Sequence, residues 1–271
     1  MDDFLNAVIN CSDEELENII NERNFLLESS NSTDRKTIIP NEKSDDYCSY
    51  YNGFIKNDVK IYFSMDFVPN ACYSMANYDY ILLFFKKVKE LGIKNKLEVI
   101  RYLSSFMDDY FGKFSGEDKR EKFLLQYNGN ATIECFKGKN LAACSERAAI
   151  TNNLLEMIGI RSIYVTGTVN EEQHAFNIVM NNNKYYILDT AFNCCLYDKE
   201  NNVLGTVPFF QPLGNMNEQI EDFLMHDKPL KFYERIARKS DDGSILNENN
   251  GQIRKYSIES IVLEETKTHS R

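Results

Sequence analysis

Apolar side chains recur at helical intervals near the start of the chain, where Leu16, Ile19, Ile20, Phe25 and Leu26 follow Ser12-Asp-Glu-Glu15. That Ser-x-x-Glu spacing is a capping box, in which each side chain satisfies a backbone N–H of the other's turn, so the first 30 residues read as helix. Residues 29–53 lose the period and turn polar, which predicts a loop or linker. Ile55, Val59, Ile61 and Phe63 around Asn57-Asp58 suggest a hairpin over 54–68. Residues 78–91 and 97–111 return to apolar steps of three and four, split by Gly92 and by Asn95, which can cap the second helix with Glu98 at its third position. A shorter helix is expected over 117–127.

From about residue 138 the texture changes to a helix of small residues, then to segments rich in Ile, Val and Tyr punctuated by Gly159, Gly167 and Asn181-Asn182-Asn183. This is the pattern of a helix followed by antiparallel strands. Further on, a helix is expected near 217–226 and strands over 229–237 and 252–262, flanking a polar insert with Asp242-Gly243 and Asn250-Gly251. No internal repeat is visible. The chain reads as α+β, with a mostly helical N-terminal extension (1–94, including the polar loop 29–53) ahead of its main body (95–271).

Composition narrows the function classes. With 271 residues, 43% hydrophobic and 27% charged, the chain fits neither the disordered nor the membrane-spanning class, and its longest apolar run, Ile81 to Phe85, is far short of a bilayer. Lys plus Arg minus Asp plus Glu is 31 − 41 = −10 without a basic stripe, which argues against a nucleic-acid partner. Seven cysteines are an odd number, none stands in a Cys-x-x-Cys pair, and the chain starts without a charged-then-apolar leader. Reduced thiols, a cytoplasmic location and no zinc site are the expectations, with non-classical secretion as an effector the alternative.

One thiol stands apart by position. Cys144, Ala148, Thr151, Leu155 and Ile158 form a core-facing helical stripe that Gly159 can terminate, and Cys144 opens that helix. Unsatisfied N–H groups and the helix dipole favour an anion there. Beyond it, residues 174–180 and 183–189 read as two strands, and a type I′ turn at Asn181-Asn182 would pair residues whose numbers sum to 363. His174 then faces Asp189, close enough for imidazole to meet carboxylate. A thiol nucleophile, a His base and an Asp orienter are the elements of acyl transfer.

The stretch Gly138-Lys-Asn-Leu-Ala-Ala-Cys144-Ser-Glu-Arg-Ala148, followed by 154–167, His174-Ala-Phe-Asn-Ile-Val179 and Lys184-Tyr-Tyr-Ile-Leu-Asp-Thr190, resembles the transglutaminase-like (papain-related) cysteine enzymes. The resemblance implies a helix bearing the Cys packed on an antiparallel sheet, and thioester acyl-enzyme chemistry on amide bonds of peptides or proteins. It assigns Cys144, His174 and Asp189 as the working set, with no cofactor and no membrane partner. Peptidase or amidase activity is the leading expectation. The alternatives are a glutamine-modifying effector and a catalytically silent binding module. Relatives often carry Trp near the His and the Asp; this chain has none, with Phe176 and Tyr185-Tyr186 in those strands. The Cys144 backbone N–H is then the first oxyanion donor, with Gln126, Asn128 or Asn140 for the second, and Tyr185, Tyr186, Phe192 and Phe209-Phe210 as cleft walls. Asp241-Asp242-Gly243 lacks an EF-hand ligand series, so calcium is not expected. Cys194-Cys195, His226 and His269 receive no role, and Glu146 and Arg147 are expected to pair at the helix start, where the acid would oppose a thiolate.

Overall fold

A computed structural model of the chain describes residues 3–30, 34–38, 47–57, 59–62, 72–128, 130–169, 172–181, 184–197 and 203–212, together with Asp222 and Met225. The first helical stretch is two helices, α1 (Asp3–Asn10) and α2 (Asp13–Ser29), because Ser12 stops one and caps the next. The capping box forms: the Ser12 N–H donates to Glu15 Oε2 (2.7 Å) and the Glu15 N–H to Ser12 Oγ (3.3 Å). Leu16 and Ile20 are buried, whereas Phe25 and Leu26 are 69% and 62% exposed, so only the first half of α2 uses its apolar stripe.

The segment expected to be a loop instead holds two strands, β1 (Asp34–Ile38) and β2 (Tyr47–Asn52). They pair with each other, and β2 pairs with a strand more than a hundred residues further on. Neither strand carries a period-2 signal of its own; tertiary pairing overrides local composition. Among the described residues of 54–68, the span expected to be a hairpin, only β3 (Lys60–Tyr62) is a strand; it pairs with β4 (Cys72–Ser74), which lies parallel to β5 (Asn130–Thr132). Helices α3 (Asp79–Glu90), α4 (Lys96–Phe111) and α5 (Glu117–Gln126) form where the periodicity places them, and Asn95 Oδ1 caps α4 by accepting the Glu98 N–H at 3.0 Å. After a single 3₁₀ turn (Ile133–Phe136) come α6 (Cys144–Met157), β6 (Ser162–Val169), β7 (Glu172–Asn181), β8 (Lys184–Tyr197) and β9 (Val203–Pro212). The larger sheet runs β1-β2-β6-β7-β8-β9, antiparallel throughout. Asp222 and Met225 are helical, and the strands expected over 229–237 and 252–262 lie outside the described residues.

The fold is thus α+β, with α6 at its centre. Leu5, Val8, Leu16 and Ile20 share one apolar core with Phe84 and Phe85 of α3, Leu103 of α4, Leu154 and Leu155 of α6, and Tyr164 and Leu188 of the sheet. The expected core stripe on α6 is too narrow: apart from Cys144 and Glu156, every residue of the helix is buried. Its polar side chains tie it to its neighbours. Asn153 Oδ1 accepts the Ile55 N–H (2.7 Å) while its Nδ2 donates to Ile55 O (2.9 Å), and Asn152 Nδ2 donates to Gly53 O (2.6 Å). Thr151 meets Thr190 of β8 at 3.1 Å. Buried polar groups are tolerated when paired in this way. Among the described residues no helix is long and apolar enough to cross a membrane.

The β7–β8 hairpin corrects the expected register. Asn181 pairs with Lys184 and Asn177 with Leu188, so partners sum to 365 and the connection is 182–183, one residue later than the expected turn. A shift of two in the sum keeps every side chain on its face, since strand side chains alternate with period two. Both registers bury the same residues and both offer Asn to the turn, which is why the hydrophobic pattern does not separate them. His174 and Asp189 remain on one face as diagonal rather than direct neighbours.

Candidate active site

The loop leading into α6 is fastened to the end of α4. The last carbonyls of a helix lack intrahelical partners. Here Tyr110 O accepts the Gly138 N–H and Phe111 O the Asn140 N–H, both at 2.9 Å, while the Ser115 N–H donates to Asn140 O at 2.8 Å. From the other side, Arg147 pairs with Asp108 (2.8 Å) and donates to Gly112 O (2.9 Å). Gly112 has a φ of +81°, and a Cβ there would lie 1.8 Å from Asn140 Oδ1, so no other residue fits without displacing Asn140. Cys144, the first residue of α6, is held half-buried at the end of this clamp.

His174 enters from β7, opposite Gly167 of β6. Its Nε2 lies 2.6 Å from Asp189 Oδ2, and the other carboxylate oxygen accepts the Ala191 N–H at 2.9 Å. The ring stacks on Phe176 with centroids 6.0 Å apart. The Cys144 thiol lies close enough to the imidazole to add to the preference for its charged form. Both His174 and Asp189 are at least 95% buried. Burial works against a charged ring, but the Asp189 charge and hydrogen bond, with a smaller contribution from Cys144, outweigh it and raise the His174 pKa from 6.5 to about 10. A protonated ring between a fixed carboxylate and a thiol can stabilise a thiolate and later give its proton to a leaving group.

Glu146 departs from the expected pairing with Arg147. It is fully buried: Oε2 accepts the Ala143 N–H (2.8 Å), half of a capping box, and Oε1 pairs with Arg120 of α5 at 2.5 Å. Arg147 is engaged with α4 instead, because i and i+1 side chains on a helix point apart. Arg120 was missed in the sequence. It sits among Glu117, Asp118, Lys119, Glu121 and Lys122, and only the packing shows that it alone of these turns inward with Leu124.

The other expected site residues are placed as follows. Asn140 is exposed with a φ of +60°, its side chain against Gly112. Gln126 is exposed at the last position of α5, and Asn128 is exposed just beyond. Tyr185 is half-buried opposite Met180, four residues from Asp189 along β8, or about 13 Å at the usual rise of a strand. None of these side chains is brought to the Cys144–His174–Asp189 set by a described contact, which leaves the backbone N–H groups of the first turn of α6 as the donors built into the site. The side chains of Phe192, Cys194, Cys195, Phe209 and Phe210, and the whole of His226 and His269, lie outside the described residues. Among the described residues no three His, Cys, Asp or Glu side chains gather as metal ligands would. Compared with known proteins, the chain matches no protein-family model, no curated protein and no solved structure.

Proposed function

We propose that this protein is a cysteine hydrolase or acyltransferase of transglutaminase-like core, acting on amide bonds of peptides or proteins, with hydrolysis of a peptide or side-chain amide as its reaction. The observation that supports the reading is a buried imidazole hydrogen-bonded to a fixed carboxylate, with a half-buried thiol at the start of a helix near enough to favour the charged ring. In this scheme the Cys144 sulfur attacks the amide carbonyl carbon, and the oxyanion meets the backbone N–H of Cys144. His174 gives its proton to the departing nitrogen, which leaves as an amine or ammonia, and a thioester remains on Cys144. Water then attacks the thioester while His174 takes a proton, releasing the acid and restoring the thiol. An amine in place of water turns the same intermediate to transfer.

Incubation of the protein with a peptide library, read by mass spectrometry, tests the assignment. Chain cleavage, a gain of about 1 Da, or a loss of about 17 Da with amine attachment report proteolysis, deamidation and transfer respectively. All should disappear in a folded Cys144→Ala variant. Activity retained in that variant removes Cys144 as the nucleophile, and a library left unchanged by the intact protein removes the acyl-transfer reading for peptides.

A further inference from the structure

We propose that Arg120 and Glu146 form a buried positioning pair for Cys144: Glu146 holds the peptide that precedes the thiol, and Arg120 cancels the charge that Glu146 would otherwise set against a thiolate. This rests on the assignment of Cys144 as nucleophile and adds two residues to that site. The chain of contacts is short. Glu146 reaches back from the first turn of α6 to the Ala143 N–H at 2.8 Å, fixing the backbone one residue before Cys144, and its second oxygen meets Arg120 Nη2 at 2.5 Å. Glu146 is fully buried and Arg120 is 5% exposed, so neither charge is screened by water. Ala143 has no side-chain acceptor for the first-turn N–H groups, so only the reciprocal half of a capping box forms, with the Glu146 carboxylate accepting the Ala143 N–H.

Arg120 also lies within electrostatic reach of Cys144 itself. Among the described residues, charged and titratable groups beside the pair include Glu117 on the helix of Arg120, at 3.6 Å from its Nη1, Cys144 on α6 and Tyr73 on β4. An acid at the third position of a helix is ordinarily welcome near the N-terminal dipole. It is unwelcome beside a nucleophile that must carry negative charge, unless a cation is held against it. A buried pair of this kind is weak evidence of stability alone, because desolvating both ions offsets their attraction, and its position beside the thiol gives it a role in the site.

The test is the pH dependence of Cys144 alkylation by iodoacetamide, followed by mass spectrometry of the Cys144 peptide, in Arg120→Gln, Arg120→Lys, Glu146→Gln and the Arg120→Gln/Glu146→Gln double variant. Arg120→Gln leaves the acid uncompensated and should move the midpoint up by about one pH unit, a roughly tenfold slower reaction below it. Glu146→Gln leaves the cation and should move the midpoint down. The double variant should return towards the parent value, and Arg120→Lys should stay within about threefold of the parent rate. A pair that only supports the fold would change melting temperature without these opposite shifts. Should Arg120→Gln fail to fold, the downward shift in Glu146→Gln decides, and an unchanged midpoint in that variant overturns the proposal. The readout is independent of turnover: opposite shifts with an inert peptide library refute the amidase reading alone, while library turnover with unshifted midpoints refutes the pair alone.

Discussion

Replacing Asp189 by Asn removes a charge and keeps the shape, and the structure states what His174 should then do. The imidazole is buried, and burial is the largest influence on it, favouring the neutral ring; only the Asp189 charge and hydrogen bond, with a smaller share from Cys144, hold the proton on. The span from 6.5 to about 10, at about 1.4 kcal/mol per pH unit, corresponds to about 5 kcal/mol favouring the imidazolium. With Asp189 neutral, burial is left largely unopposed, and His174 should titrate below 6.5. The chain has three histidines, so imidazole resonances followed by NMR from pH 5 to 11 give the answer directly. The same linkage fixes a stability profile. Because the folded-state pKa is raised, the stabilisation from this group is complete below about 6.5, declines between 6.5 and about 10, and is gone above it. Asp189→Asn should flatten that decline in urea unfolding measured across the same range. A wild-type His174 that titrates near 6.5, or one whose titration is unmoved by Asp189→Asn, would refute the reasoning from carboxylate proximity.

Two further perturbations test how α6 is held. Asn153→Ala strands the Ile55 N–H and removes the donor to the Tyr80 hydroxyl in a dry interior, while the Ile55 C=O keeps only the longer bond from the Tyr78 hydroxyl (3.4 Å); at about 1–3 kcal/mol for each unsatisfied group, a loss of about 3 kcal/mol is expected, or roughly a 10 °C drop in Tm. A loss below about 1 kcal/mol would mean that these bonds are replaced by water. Gly112→Ala should cost about 2 kcal/mol from left-handed strain and collision with Asn140, and adding Asn140→Gly should recover the collision part; additive effects in that double-mutant cycle would contradict the close approach.

Local signals were legible where local physics decides the outcome. Ser12 with Glu15, and Asn95 with Glu98, each announce a helix start that the structure has. The nearness of His174 to Asp189 was expected from a turn at Asn181-Asn182, and it survived a turn misplaced by one residue because that moves each strand partner by two. What was illegible depends on distant partners. Tyr47–Asn52 becomes a strand because β6 offers it an edge, and nothing within the segment says so. The inward turn of Arg120 is invisible in a run of alternating charges. The polar residues of α6 read as a solvated face, yet Asn152 and Asn153 spend their amides on the backbone of residues 53–55, a role that periodicity does not encode.

The pairing of β2 with β6 also bears on which edge the sheet presents. Among the described residues the outermost strand on that side is β1, whose sequence begins Asp34-Arg35-Lys36, and charged residues on an edge discourage strand addition by another molecule. A shortened chain begun at residue 95 would lose β1 and β2 and present β6 instead, with Ile163, Tyr164 and Val165 along an open ladder of backbone N–H and C=O groups. Such an edge is a template for intermolecular β-pairing. Trimming the N-terminal strands to isolate the site would therefore uncover an edge of the sheet that carries His174 and Asp189, and such a shortened chain is expected to aggregate more readily than the full one.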